Sequence, residues 1–346
     1  MNKKINKKIN LINDLDKEIL KLINKRISLV KDDEYLNSFD VNKTLIEKLK
    51  DINYEHITYN DIQIFYNEIF NLGRNLISIE KVAYLGPEGS YTQEAAESKF
   101  GKNSSYFSVN SIKNIFLEVS ENRAKYGIVP IENSSNGMVG DTINSFNIFN
   151  LNIVGEIVLD IHHTLVSTCK NINEINTIYS KDIAFDQCSI FLENYHLNEA
   201  KYIYVESTTK AAKLASKTPN SAAICSENAA KNNHIPILFK NIEDNKNNRT
   251  RFFVISSDES SKTKSDKTTI IVQLPNKYGS LITFLNSFKK AKISLSKIKS
   301  HIVNGVSTFF IEFVGHKNDD NIQKILTKHS KYIKILGSYP KEVEDI

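Results

Sequence analysis

A few short segments carry side chains able to hold an anionic ligand or move a proton. GPEGSYT, from Gly86 to Thr92, follows an apolar run and opens a helical pattern. Glycines there let backbone N–H groups approach a ligand, and a helix N-terminus favours an anion. Ser90 and Thr92 add hydroxyls. The same residues also suit an ordinary strand-to-helix turn with a capping hydroxyl. VPIENSSNG crowds Glu132, Asn133, Ser134 and Ser135 at a strand end, where open α/β sheets bind ligands. A polar loop or helix cap is the bland alternative. ESTT repeats the strand-to-helix design, with Ser207 or Thr208 as N-cap. NRTRF places Thr250 between Arg249 and Arg251, which read equally as solvated cations. His162 and His163 are adjacent, so on a strand they face opposite ways and make no joint metal site; a structural role is the plainer reading. Cys225 in AAICS reads as a small buried residue.

Residues 1–80 should position none of this. They hold no proline and one glycine, Gly73. Ile5, Ile9, Ile12, Leu15, Ile19, Leu22, Ile23, Ile27 and Val30 recur at helical spacing. Further helical patterns follow around 43–50 and 59–79. A small bundle is expected, its apolar faces packed on each other or on a second copy. From Val82 the pattern changes to short strands (KVAYLG, YGIVPIEN, NIVGEIVLDI, NTIYS, KYIYVES, SAAICS, RFFVIS) alternating with helices. That predicts a mainly parallel α/β sheet to about residue 257. Residues 257–267, SDESSKTKSDK, have linker composition. The remainder reads β-α-β-β-α-β, the ferredoxin-like order. The expected domains are 1–80, 81–257 and 268–346.

Composition removes other classes. The 346 residues carry 45 Lys+Arg against 40 Asp+Glu, a net charge of +5, too small a surplus to argue for nucleic acid or a membrane surface. No apolar run approaches the roughly 18 residues that cross a bilayer, and the basic N-terminus lacks the apolar core of a secretory signal. Cys169, Cys188 and Cys225 are far apart and odd in number; they give no disulfide framework or zinc spacing and fit the reducing cytoplasm.

Taken together, GPEGSYT, VPIENSSNG, ESTTKAA and RTRF stand in the order and spacing that mark the prephenate dehydratase family, which this sequence resembles. One family mark differs. A His-Pro-Gln run is replaced by Lys181-Asp182-Ile183, although Gln187-Cys188 is kept. The resemblance implies a two-lobed α/β fold like that of periplasmic binding proteins. It implies conversion of prephenate to phenylpyruvate, water and carbon dioxide in phenylalanine synthesis, without metal or cofactor. It gives Thr250 as the donor to the departing hydroxyl, with Glu132 as relay partner, and Asn133 and Gln187 as orienting amides. Ser90, Thr92, Ser134, Ser207 and Thr208 would hold the substrate, with Arg251 as counter-charge or surface ion pair.

The flanks resemble the other parts of bifunctional chorismate mutase–prephenate dehydratases. Against the helical mutase pattern the first segment keeps Arg26, but Ile9, Asn37, Val41, Asn42, Gly73 and Ile77 stand where the family has charged or polar ligand-binding groups. Lysines such as Lys43 are poor substitutes for a bidentate arginine. A structural or dimerising remnant is therefore expected. The C-terminal segment resembles an ACT domain. Gly279, Ser280, Leu281 and Ile282 match its amino-acid-binding turn, while Lys299-Ser300-His301-Ile302 keeps only Ser300 of the second stretch. Phenylalanine is the implied effector, weakened here, and a homodimer or higher homo-oligomer the implied assembly. Three alternatives stay open: retention of both activities, arogenate as substrate, and a non-catalytic cytosolic ligand sensor on the same fold.

Overall fold

In the computed structural model, residues 3–33, 36, 39–50, 55–77, 80–102, 104–263, 265–303 and 306–341 are described. They fall into two compact units. The first, Met1–Glu80 with Glu97–Ser105, contains α1 (Lys3–Val30), α2 (Phe39–Glu47) and α3 (Tyr59–Ile77). Thr58 and Asp61 start α3 as a capping box. Asp61 N–H donates to Thr58 Oγ1 over 3.2 Å, and Thr58 N–H donates to Asp61 Oδ2 over 2.9 Å. Val30, Ile46, Ile62, Ile69 and Phe70 are buried among these helices. The apolar stripe of α1 is not: Ile9 is 44% and Ile12 56% exposed.

The second unit, Lys81–Ala96 with Tyr106–Ile346, holds the four strand-end motifs. Its elements begin β1 (Lys81–Leu85), α4 (Tyr91–Phe100), β2 (Ser105–Val109), α5 (Ile112–Ser120), β3 (Tyr126–Asn133), β4 (Gly137–Met138), α6 (Gly140–Ile148) and β5 (Asn152–Asp160). A second lobe follows with β6 (Thr164–Ser167), β7 (Thr177–Ser180), α7 (Asp182–Asp186), α8 (Ser189–Asn194), β8 (Lys201–Tyr204), α9 (Thr208–Ala215), β9 (Ser221–Cys225), α10 (Glu227–Asn232) and β10 (Ile237–Lys240). The long strand β11 (Arg249–Ser256) then returns to the first lobe.

The sheets run β2-β1-β3-β11-β5 and β10-β6-β9-β7-β8. They are mixed rather than mainly parallel, which corrects the expectation from alternating elements. β1–β3, β7–β8 and β7–β9 pair parallel. β11 lies antiparallel to both β3 and β5 because it enters the first sheet from the other lobe. The small residues of β9 let Ala211, Ala212 and Ala215 of α9 pack close against it. Ser111, Ser207 and Ser226 cap α5, α9 and α10, each accepting a backbone N–H. Among the described residues no helix is long and apolar enough to cross a membrane.

The last part is β12 (Asp266–Val272), α11 (Ser280–Lys290), β13 (Leu295–Val303), β14 (Val306–Val314), α12 (Asp320–Lys328) and β15 (Ile333–Pro340). The sheet order β13-β14-β12-β15 is the ferredoxin-like one. One face buries Phe284, Phe288, Ile322 and Ile325 under its helices. The other packs Ile271, Phe310, Leu336 and Tyr339 into the core of the first lobe, beside Ile153 and Phe253. Gly337 allows this approach, since any side chain there would strike the Ile153 backbone.

Candidate active site

The strand-end loops surround a cleft of about 1650 Å³ between the two lobes. One wall carries Pro87, Ser90, Tyr91, Thr92, Asn133 and Thr250; the other carries Gln187, Ser207, Thr208 and Thr209. Of the residues expected from sequence, Thr250, Asn133, Gln187, Ser90, Thr92, Ser207 and Thr208 therefore share one cavity.

At its floor Asn133 meets Thr250 across the β3–β11 pair. Asn133 Nδ2 donates to Thr250 Oγ1 over 2.9 Å and to Asn248 Oδ1 over 2.9 Å. Its Oδ1 accepts from the N–H groups of Ser135 and Asn136, over 2.9 and 3.0 Å. Backbone donors thus fix which end of the amide faces the threonine. With Oγ1 accepting, the hydroxyl hydrogen of Thr250 is left to be given away.

Ser90 Oγ donates to Leu85 O over 2.8 Å, and Ser207 Oγ accepts from Lys210 N–H as the cap of α9. These side chains brace helix N-termini, and the first-turn N–H groups remain the anion-facing donors. Five lysines also reach the cleft. Lys210, Lys213 and Lys217 line the cleft with Lys181 and Lys231. The spacing of the first three on one face of TTKAAKLASK was visible in the sequence. Lys210 pairs with Glu206 over 3.1 Å and Lys231 with Glu227 over 3.0 Å, so Lys181, Lys213 and Lys217 carry most of the charge that suits a dianion.

Three expected site residues lie elsewhere. Glu132 points to the opposite face of the sheet, where Lys297 of β13 pairs with its Oε2. Arg251 is fully buried on that same face. Its Nε donates to Glu156 over 2.8 Å, and its two Nη groups clamp Glu312 over 3.0 and 2.8 Å. Lys267 joins Glu156 at 3.3 Å. The reason is strand alternation: Thr250 faces the cleft, so Arg251 cannot, and Glu132 is its cross-strand neighbour. Phe252 returns to the cleft side by the same alternation, and a bulge at Ile131 of β3 brings Pro130 there opposite it. Ser134 is outside the cleft wall; its Oγ accepts from Arg249 N–H over 2.9 Å and fastens the loop.

Of the histidine pair, His163 is buried in the cleft wall. Cys225 is buried as expected, and burial pushes its thiol up to about 12, with the Thr164 bond opposing. Burial also raises Cys188. Both stay protonated and are poor nucleophiles.

In the first unit, Arg26 is half-buried with its guanidinium 4.4 Å over the Phe70 ring. Ile9 is exposed and Asn42 buried. Asn37 and the side chains of Lys43 and Ile77 lie outside the described residues. In the C-terminal part of the second unit Gly279 takes φ +75° to open α11 at Ser280, and Lys299, Ser300 and Ile302 are exposed on β13.

Comparison with known proteins gives the family. The family model described as prephenate dehydratase matches residues 82–260. A bifunctional chorismate mutase/prephenate dehydratase of Aquifex aeolicus is 34% identical over 95% of this chain and 96% of its own length. A prephenate dehydratase of Methanocaldococcus jannaschii is 35% identical over 75% of this chain and 97% of its own length. The crystal structure of prephenate dehydratase in complex with L-Phe from Arthrobacter aurescens superposes with a TM-score of 0.70 at 27% identity, covering 77% of this chain and 92% of that one. Its cleft, its strand-end motifs and these matches agree: the chain belongs to the prephenate dehydratase family.

Proposed function

We propose that the interlobe cleft decarboxylates and dehydrates prephenate, with Thr250 as the donor to the leaving hydroxyl. The observation that carries this reading is the Asn133–Thr250 bond, which leaves the Thr250 hydrogen uncommitted. As the ring carboxylate departs as carbon dioxide, its electron pair enters the ring and expels the hydroxyl at the far carbon. Hydroxide is a poor leaving group, so hydrogen-bond donation or proton transfer from Thr250 lowers the barrier. The balance is prephenate dianion plus one proton giving phenylpyruvate anion, carbon dioxide and water. A threonine is too weak an acid to supply that proton alone. The Asn133 N–H stabilises charge growing on Oγ1 until solvent restores the hydrogen.

In this reading Gln187 orients the substrate through its amide, and Ser90, Thr92, Ser207 and Thr208 present the helix N-termini that receive its carboxylates. The lysines Lys181, Lys213 and Lys217 draw the dianion in. Unpaired Cys169, Cys188 and Cys225 suit the cytoplasm.

The exposed stripe on α1 supports a homo-oligomer that covers it. Phenylalanine is the candidate effector of the β12–β15 domain, since it is bound in the Arthrobacter relative. A second reading, with mutase activity retained, is favoured by the full-length match to a bifunctional relative. Against it stands the burial of Arg26 over Phe70, which draws the retained arginine into packing. Purified protein given chorismate and prephenate separately decides the matter. Phenylpyruvate from prephenate alone is the expected result; none from prephenate would end the dehydratase reading, and turnover of chorismate would restore the second.

A further inference from the structure

His163 is 3% exposed and joins three parts of the chain at the cleft wall. Its Nε2 lies 2.8 Å from Gln187 Oε1, and its Nδ1 lies 2.9 Å from the Tyr91 hydroxyl. The Tyr91 ring stands edge-on to the imidazole, centroids 5.8 Å apart. The backbone N–H of His163 donates to Glu243 Oε2 over 2.8 Å, which locks the segment between β5 and β6. Beyond the ring, Gln187 Nε2 donates to Asn136 Oδ1 over 3.1 Å.

Counting hydrogens along this line gives its polarity. An amide oxygen only accepts, so the contact to Gln187 requires a hydrogen on Nε2. A neutral ring then has a bare Nδ1, and Tyr91 supplies the hydrogen it accepts. The Tyr91 hydroxyl shares that hydrogen with the His162 carbonyl at 2.8 Å. Burial of the ring lowers its pKa and favours the neutral form, with the His162 charge acting the same way and the Gln187 bond and Glu243 opposing.

We propose that His163, held by Tyr91 as its Nε2–H tautomer, is a positioning residue that fixes the Gln187 amide, so that Gln187 meets the substrate as an N–H donor and not as a carbonyl acceptor. The proposal rests on the reading of Gln187 as a substrate contact. With its oxygen committed to His163 and one hydrogen to Asn136, Gln187 keeps a single amide hydrogen for the ligand. A dianion needs that donor. The reversed amide would set an oxygen lone pair against substrate oxygen and cost affinity.

Two measurements test this. In the unaltered protein, 15N NMR of the His163 ring should show a neutral Nε2–H tautomer near pH 7. A Nδ1–H tautomer or a doubly protonated ring there would overturn the proposal. In kinetics with prephenate, His163→Phe should lower kcat/KM by about tenfold or more, mostly through KM. His163→Gln keeps a donor facing Gln187 and should recover most of the loss. In a Gln187→Ala background His163→Phe should add less than about twofold, because neighbours acting through one contact are not additive. An undiminished effect in that background would refute positioning while leaving Gln187 in the site. A fully active Gln187→Ala enzyme would remove the underlying reading, and the proposal with it.

Discussion

Asn133 donates to Thr250 Oγ1 over 2.9 Å, and the amide cannot turn round because Ser135 and Asn136 both donate to its oxygen. The threonine is therefore held as an acceptor toward the protein and a donor toward the cleft. Asn133→Asp should reverse this by taking the threonine hydrogen. It should lower kcat at least about tenfold without unfolding the Asx turn. Steady-state kinetics with a thermal melt of the same sample checks both halves.

Glu132 gives a contrasting expectation. Buried and paired with Lys297, it joins the sheet of β3 to β13, and a structural role is the expectation. Lys297→Met leaves that carboxylate buried without its partner and should cost about 3 kcal/mol of stability. Adding Glu132→Leu should return most of it, since an apolar pair suits the site. Denaturant unfolding measures the cycle. The double variant should keep kcat within about threefold of the parent, whereas a lost proton relay would cost about a hundredfold.

His163 also predicts a pH dependence. Its folded pKa lies below the ordinary 6.5, with burial the main cause. Below 6.5 the unfolded chain takes up a proton that the folded one refuses, so this contribution is lost as pH falls through that range. Glu243 and Gln187 oppose the shift, while His162 adds to it. Unfolding free energy measured from neutral to mildly acidic pH should fall less steeply in His163→Gln than in the parent. Identical slopes would contradict the buried neutral ring.

Phenylalanine should inhibit weakly. The turn at Gly279 and Ser280 still opens α11 and can offer backbone N–H groups, but Lys299 reverses a charge, and His301 and Ile302 replace an Arg-Pro pair in the resembling domains. A smaller difference in affinity between two states gives a smaller population shift. Titrating phenylalanine into the prephenate assay checks this. The triple change Lys299→Glu, His301→Arg and Ile302→Pro should raise sensitivity, and strong inhibition of the parent at micromolar phenylalanine would contradict the expectation.

Much of this was legible from the residues. Periodicity located α1, α3 and the β-α-β-β-α-β order, because each carries an apolar face of fixed period, although that of α1 is exposed. The motifs assembled the cleft around Thr250, Asn133, Gln187 and Ser207. Sheet direction was not legible: nothing local in RTRFFVIS says that β11 enters its sheet from the other lobe. Motif membership also hid the alternation that sends Glu132 and Arg251 away from Asn133 and Thr250, although period two along a strand predicts it. The partners of Arg251, Glu156 of β5 and Glu312 of β14, lie 95 and 61 residues away. The partners of His163 were not legible because only the folded chain brings Tyr91 and Gln187 to it.

The most direct test is phenylpyruvate formation from prephenate by the parent and by Thr250→Val, compared in single turnover with enzyme in excess. Valine keeps the shape and removes the hydroxyl. Thr250→Val should bind prephenate with little change yet form phenylpyruvate at least about a hundredfold more slowly, while Thr250→Ser retains much of the rate. Near-normal turnover by a folded Thr250→Val enzyme would contradict the account.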